Sequence, residues 1–264
     1  MRSRGLGSQL LDLLFPPRCQ VCRRFSADPL CETCRGESLF IGERRCPCCG
    51  TPLRDHPPES LPGALCADCR DGRWISGARS AGLHAGPLRT AMIAYKFNGR
   101  TRLAPTFAEL VCDSARREVL GPRPGLPLNR CRALLPVPLH PARRAWRGFD
   151  QAEMLCQALA EPLGLPVWSD ALVRIRETQP QTQVPGPLRR ANVSGAFEAR
   201  KAWRLKGASL ILVDDVMTTG STLEECARVL KYAGAASVYA LTVTRAVPSW
   251  LADSVTPPGG AADA

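Results

Sequence analysis

The chain has 264 residues, 45% of them hydrophobic, and a formal net charge of +11. That length exceeds one ordinary domain without reaching three large ones, and the apolar share is normal for a folded soluble protein. No apolar run approaches the roughly 20 residues of a membrane span, and the 13 cysteines are not spaced as in a small secreted disulfide scaffold.

The charge is unevenly spread. Residues 1–75 carry 11 Lys and Arg against 9 Asp and Glu, residues 76–247 carry 24 against 13, and the tail 248–264 adds two acids. The basic excess of the second region suits a polyanionic small molecule or nucleic acid, or equally a solvated surface. Arg2 and Arg4 precede a Leu-rich segment, but Asp12 interrupts it and no small-residue cleavage site follows. No signal peptide is read there, and the chain is expected in the cytoplasm.

Leu6, Leu10, Leu13 and Leu14 have helical spacing, which predicts a short amphipathic helix over 6–15, ended by Pro16 and Pro17. Its apolar face packs on the rest of the chain or receives a partner. Four C-x2-C knuckles follow: Cys19 and Cys22, Cys31 and Cys34, Cys46 and Cys49, Cys66 and Cys69. Knuckles so close together point to structural Zn²⁺, since four thiolates complete a tetrahedral shell and leave no open catalytic position. The segment is poor in large apolar residues, so metal must supply much of its folding free energy. Sequential pairing gives one site from Cys19, Cys22, Cys31 and Cys34 and another from Cys46, Cys49, Cys66 and Cys69; a cross-braced pairing is the alternative. Cys48 is then a bystander and His56 a loop residue. Zinc at both sites would make the segment acidic on balance, so it is as much a scaffold or partner platform as a nucleic-acid contact.

From residue 76 the pattern becomes that of an α/β domain, expected to run to 247. A strand over 78–84 is followed by a helix over 87–97, with Leu88, Met92 and Tyr95 on one face, and a second helix over 104–119. Lys96, Arg100 and Arg102 are candidate phosphate ligands or a solvated helix end. The loop 121–128 leads to a buried strand over 133–139. His140, Arg143, Arg144 and Arg147 come directly after it, and arginines past the end of a parallel strand project into the crevice where such sheets bind ligands. Guanidinium groups suit bidentate phosphate contacts, so this stretch reads as a loop on the pyrophosphate side of a site. A helix follows, with Ala152, Leu155 and Leu159, then a strand over 170–175. The polar connection 176–192, with Arg176 and Gln181, is long enough to be a lid. Strands are expected at 193–198 and 209–213, a helix at 222–232, a strand at 236–243, and a disordered tail over 248–264.

The richest stretch is Leu210 to Thr222, LILVDDVMTTGST. Four apolar residues form a strand buried on both faces, with Asp214 and Asp215 at its end. Thr218, Thr219, Gly220, Ser221 and Thr222 make a hydroxyl-rich turn into a helix, with Ser221 and Glu224 at capping-box spacing. Such a turn presents successive N–H groups and a helix N-terminus to one phosphate. Two acids beside it would repel that phosphate, but they suit the vicinal hydroxyls of a sugar or a magnesium ion. The site therefore asks for a 5-phosphorylated ribose. No Walker loop is present.

This stretch resembles the PRPP-binding signature of type I phosphoribosyltransferases. The resemblance implies that Asp214 and Asp215 hold the ribose hydroxyls at the catalytic centre. Val216 to Thr222, which takes in Met217, would bind the remaining ribose 5-phosphate, and Mg²⁺ would accompany PRPP. The order of motifs is closer still to one family: cysteine knuckles, YKFNGR, VPLHPARRAWRGFDQAE, R-x-R-x-T-x-x-Q at 174–181, RRANVSGAF and VDDVMTTGST. In this order the chain resembles the ComF family, competence-type proteins of phosphoribosyltransferase-like fold that the gluconate-linked GntX proteins also resemble. Asp150 departs from the family's usual Asn in R-G-F-N-Q, a change expected to be tolerated. The implied architecture is α/β, a mostly parallel sheet flanked by helices with a small N-terminal zinc-ribbon module whose metal ligands are four cysteines per site. The implied role is DNA uptake, with PRPP and single-stranded DNA as ligands and a DNA-uptake helicase or other competence proteins as partners. Transferases acting on 6-oxopurines carry an acid where this chain has Thr218, which argues against purine salvage. An enzyme that releases pyrophosphate and a non-catalytic nucleic-acid-binding or partner-binding protein both remain open at this point.

Overall fold

The computed structural model describes residues 16–54, 65–116, 126–179 and 184–255. The helix expected over 6–15, His56 and Gln181 lie outside them. In chain order the elements are α1 (Glu32–Gly36), α2 (Ala67–Arg70), β1 (Gly77–Leu83), α3 (Gly86–Phe97), α4 (Leu103–Arg116), β2 (Ala133–Pro136), α5 (Pro141–Arg147) and α6 (Gln151–Leu163). They continue with β3 (Leu172–Arg174), α7 (Arg189–Val193), β4 (Phe197–Ala199), α8 (Ala202–Leu205), β5 (Ser209–Met217), α9 (Ser221–Tyr232), β6 (Ser237–Arg245) and α10 (Ser249–Val255). Among the described residues no helix is long and apolar enough to cross a membrane.

The main sheet is parallel, in the order β1–β6–β5–β2. Its central strand explains the apolar run at 210–213, because alternate side chains enter opposite cores. Ile211 and Val213 join Leu88, Phe107, Leu155 and Leu241 under α3, α4 and α6. Leu210 and Leu212 join Leu223, Cys226, Leu230 and Val238 under α9. Both faces are therefore covered, as parallel sheets require.

The edge strand β1 is fully buried because the cysteine-rich segment closes it. Ala78 N donates to Cys48 O at 2.7 Å, Leu83 N to Leu39 O at 2.8 Å, and Ala81 O accepts from Ile41 N at 3.1 Å. Covering an edge in this way removes a template for aggregation. Gly82 is needed for that approach, since a Cβ there would lie 2.8 Å from Leu39 O and 2.4 Å from Leu88 Cδ1. The segment also straddles the sheet: Cys19 and Cys34 pack into one core, Cys46, Cys49 and Cys69 into the other.

Four expectations change. The arginine-bearing stretch after β2 is a helix, α5, and not a loop; Pro141 starts it, helix formers fill it, and Gly148 ends it in the left-handed region with φ 80°. The strands expected at 170–175 and 193–198 do not join the main sheet. β3 pairs antiparallel with β4 in a separate two-stranded sheet, and residues 189–193 are helical. These strands carry Arg174 and Glu198 and lack the two apolar faces that the main sheet demands. The connection 176–192 is partly folded, with a 3₁₀ turn over Gly186–Leu188 and α7 after it. The tail expected to be disordered forms α10, with Trp250 5.8 Å from the Arg54 guanidinium, while residues 256–264 lie outside the described set.

Candidate functional site

Asp214 and Asp215 lie inside β5, three and two residues before its end, and not at its last position. Asp215 is 4% exposed. Its Oδ1 lies 2.8 Å from Lys96 Nζ on the last turn of α3, and its Oδ2 is buried with no hydrogen-bond partner. A buried, unpartnered carboxylate oxygen is costly and marks a place where a ligand or cation completes the shell. Asp214 Oδ1 accepts from Asp215 N at 2.8 Å. Burial, and then the neighbouring Asp215 charge, hold the Asp214 carboxyl well above the usual carboxylate range.

Beyond Met217 the chain turns through Thr218, Thr219 and Gly220 into α9. Gly220 has φ 81°, and a Cβ there would come within 2.8 Å of Met217 Cε and 3.1 Å of Arg73 Nη2. The left-handed φ is what favours glycine here, since the near atoms are the ends of flexible side chains. Thr219 Oγ1 and Ser221 Oγ are 2.8 Å apart, and Ser221 N donates to Thr219 Oγ1 at 3.4 Å. Thr218 and Thr222 are half-buried along the same turn. The expected capping box does not form. Gly220 is the N-cap, and Glu224 turns away to accept from Trp74 N at 2.9 Å and pair with Arg73 Nε at 2.5 Å. A groove of about 540 Å³ opens beside the turn, lined by Arg73, Trp74, Arg190, Ser194, Ser221 and Glu224.

The predicted arginines divide. Arg147 comes near the acids: its guanidinium lies 5.1 Å from the Phe97 ring, Nη1 donates to Gln151 Oε1 at 2.6 Å, and Nε is buried without a partner. Burial lowers its pKa and the Asp215 charge opposes that. Arg143 ties α5 to the connection after β3, Nη2 donating to Thr178 O at 2.7 Å, and Arg144 pairs with Glu153 at 2.9 Å. Arg176 closes the base of the same connection, donating to Ser194 O at 2.7 Å and Asn192 O at 3.1 Å. Lys96 is inside the site, whereas Arg100 and Arg102 are exposed. Asp150 caps α6, its Oδ1 accepting from Ala152 N at 3.0 Å and Glu153 N at 3.1 Å. Asp and Asn serve equally well at an N-cap, which accounts for the departure at this position.

The sequence pattern does not single out His84. It directly follows the last residue of β1, so the rule that ligands gather past parallel strand ends is the signal that could have found it. Its Nδ1 lies 3.0 Å from Thr244 Oγ1. Burial, then the Lys96 and Arg89 cations, push its pKa down to about 4.

The cysteines form two sets in sequential pairing: Cys19, Cys22, Cys31 and Cys34, and Cys46, Cys49, Cys66 and Cys69, with the sulfurs of each set within 4.8 Å of one another. Tetrahedral zinc with bonds near 2.3 Å puts sulfurs about 3.8 Å apart. The Cys19–Cys34, Cys22–Cys31 and Cys49–Cys66 separations are 3.8, 3.6 and 3.5 Å. Burial first, then neighbouring thiols, raises Cys34 and lifts Cys66 to about 12. Thiols packed this way ionise together only around a dication, so the donor sets fit zinc. Cys48 stands aside, its Sγ 3.8 Å from Ile75 O.

The description "Double zinc ribbon domain" matches residues 10–70, and "Phosphoribosyl transferase domain" matches residues 150–254. With the parallel sheet flanked by helices, the second match gives a type I phosphoribosyltransferase-like fold. A DNA utilization protein YhgH of Salmonella typhi is 35% identical over 233 residues, covering 86% of this chain and 96% of the relative. Competence protein F of Haemophilus influenzae is 28% identical, covering 86% and 90%, and competence protein ComFC of Bacillus subtilis is 28% identical, covering 83% and 85%.

Proposed function

The chain belongs to the ComF family of DNA utilization and competence proteins, and from that premise we propose that it binds PRPP with Mg²⁺ at residues 210–222 and serves DNA uptake. The observation that carries this reading is the unpartnered, buried Oδ2 of Asp215 beside a hydroxyl-lined turn at a helix N-terminus. Backbone N–H groups and the hydroxyls of Thr218, Thr219, Ser221 and Thr222 would hold the 5′-phosphate. Asp214 and Asp215 would orient the ribose hydroxyls and hold a magnesium ion, whose charge would offset that of the pyrophosphate. Arg147 and Lys96 would face the anionic leaving side. In a transfer reaction these residues act by positioning and electrostatics, with no protein nucleophile.

Calorimetric titration of the zinc-loaded chain with PRPP, with and without Mg²⁺, tests the reading. Magnesium-dependent binding is expected, and Asp215→Asn should abolish it while leaving the thermal unfolding profile folded; unchanged affinity in that variant would remove the site assignment. A second reading, nucleic-acid binding without turnover, is favoured by Trp146 and Phe97, 76% and 58% exposed near Arg147. Such aromatics beside arginine are stacking surfaces for single strands. Binding of a single-stranded oligonucleotide that weakens steeply with salt would support it.

A further inference from the structure

We infer that the second cysteine set, through Arg73, holds the phosphate-binding turn in its working geometry, so that metal at this set tunes ligand affinity at the turn. The inference rests on the reading of residues 217–222 as a phosphate site. Arg73 follows Cys69 by one turn of chain and is only 9% exposed at its side chain. Its guanidinium touches three things: Nη1 donates to Cys69 Sγ at 3.7 Å, Nη2 to Thr219 O at 3.4 Å, and Nε lies 2.5 Å from Glu224 Oε1. One planar group thus joins a metal-ligand sulfur, the tip of the turn and the first turn of α9. The missing capping box is a consequence, since Glu224 is drawn to Arg73 and Trp74 N.

The other end of the turn is tied to the same set. Met217 pairs with Arg245 across β5 and β6, and Ala246 N donates to Met217 O at 2.9 Å. Arg245 is 7% exposed, and its Nη1 donates to Cys49 O at 2.6 Å. Among the described residues no carboxylate pairs with Arg245. A buried guanidinium needs a counter-charge, and a zinc ion with four thiolates supplies one, carrying a net charge of −2. Hydrogen bonds from outside the ligand set orient metal ligands and are set by them in turn. Losing the metal removes the anion that both arginines face and frees Arg73 from the geometry that holds Thr219.

The test uses the full chain with Arg73→Met, which keeps side-chain length and removes the donors. Zinc content should remain two per chain. PRPP binding should weaken about tenfold, the size expected for lost hydrogen bonds to a charged group. Amide hydrogen exchange should quicken at 218–221 while β5 and β6 stay protected. Arg73→Lys should restore part of the affinity. Cys66→Ser, which empties the second set, should weaken binding in the wild-type background and weaken it less in the Arg73→Met background, where only the Arg245 contact to the set remains. Wild-type exchange and affinity in Arg73→Met, or additive losses in the double variant, would overturn the inference. If the wild-type chain fails to bind PRPP, the ligand reading falls, and the exchange rates at 218–221 still decide the coupling.

Discussion

The two cysteine sets have the same chemistry and different neighbours. In the first, Cys19 Sγ receives backbone N–H groups from Val21 and Cys31, and Cys34 O accepts from Ser38 Oγ at 2.7 Å. Its contacts are local, and its buried cysteines pack with Leu30 against the core under α3 and α4. In the second, sulfur and carbonyl groups meet Arg73 and Arg245, which also contact the turn between β5 and α9 at Thr219 and Met217. The same four-thiolate unit is thus a fastener in one place and a fastener with a lever in the other. What a metal site does follows from the groups that surround its ligands, more than from the ligands.

The largest expected effect separates stability from coupling. Cys34→Ser and Cys69→Ser should each remove one zinc and lower unfolding stability by on the order of 4 kcal/mol, as loss of a structural metal does. Only Cys69→Ser should also loosen the turn at 218–221. Equal loosening in both variants, measured by amide exchange at temperatures where each stays folded, would erase the distinction between the sets.

The strongest features were legible because they are local. The LILV run predicts a strand buried on both faces, and the two cores confirm that reading residue by residue. The C-x2-C spacing predicts four-thiolate sets, and the sulfurs converge in sequential pairing. What escaped depends on elements far apart in sequence. Glu224 sits at capping-box spacing, yet its partner is Arg73, 151 positions away in the chain and invisible to any local pattern. α5 was hidden because an arginine-rich stretch after a strand suits a loop as well as a short helix, and Pro141 with Gly148 decides the matter. β3 and β4 carry strand-like sequences, but nothing in them says which sheet they join. His84 is an ordinary histidine until Thr244 and Lys96 are brought beside it.

A second comparison, between binding and stability, lies within the acid pair. Asp214 is held well above the usual carboxylate range by burial and by Asp215. In the folded state it keeps its proton to a higher pH than in the unfolded chain, so its contribution to stability falls as pH rises through that raised range. Asp214→Asn removes a carboxyl whose ionisation the fold opposes and should stabilise the fold by about 1 kcal/mol at neutral pH, while weakening Mg²⁺–PRPP binding. For the wild type, affinity should rise with pH as Asp214 loses its proton. A variant that is both less stable and equally able to bind would show that the acid pair is structural.

The smallest expected effect lies at His84, whose N donates to Arg245 O at 2.6 Å and where charge acts through pH. Its pKa is pushed from the ordinary 6.5 down to about 4 by burial and by the Lys96 and Arg89 cations, with Asp215 opposing. Between those values the unfolded chain takes up a proton that the folded chain refuses, so stability is lost as pH falls through this window. The part that can be read between pH 7 and pH 5.5 is about 1 kcal/mol at most. Asp214 acts with the opposite sign, and acid release of zinc adds a slope of its own. Both are shared by wild type and His84→Gln, so the difference between the two proteins isolates the imidazole. The variant should show a flatter stability profile from pH 7 to pH 5.5 in urea unfolding. A neutral His84 also keeps one more positive charge away from Lys96, which pairs with Asp215 at 2.8 Å. Parallel profiles for the two proteins would mean that His84 takes up its proton in the fold at the same pH as in the unfolded chain, so that burial and the neighbouring cations do not hold it neutral.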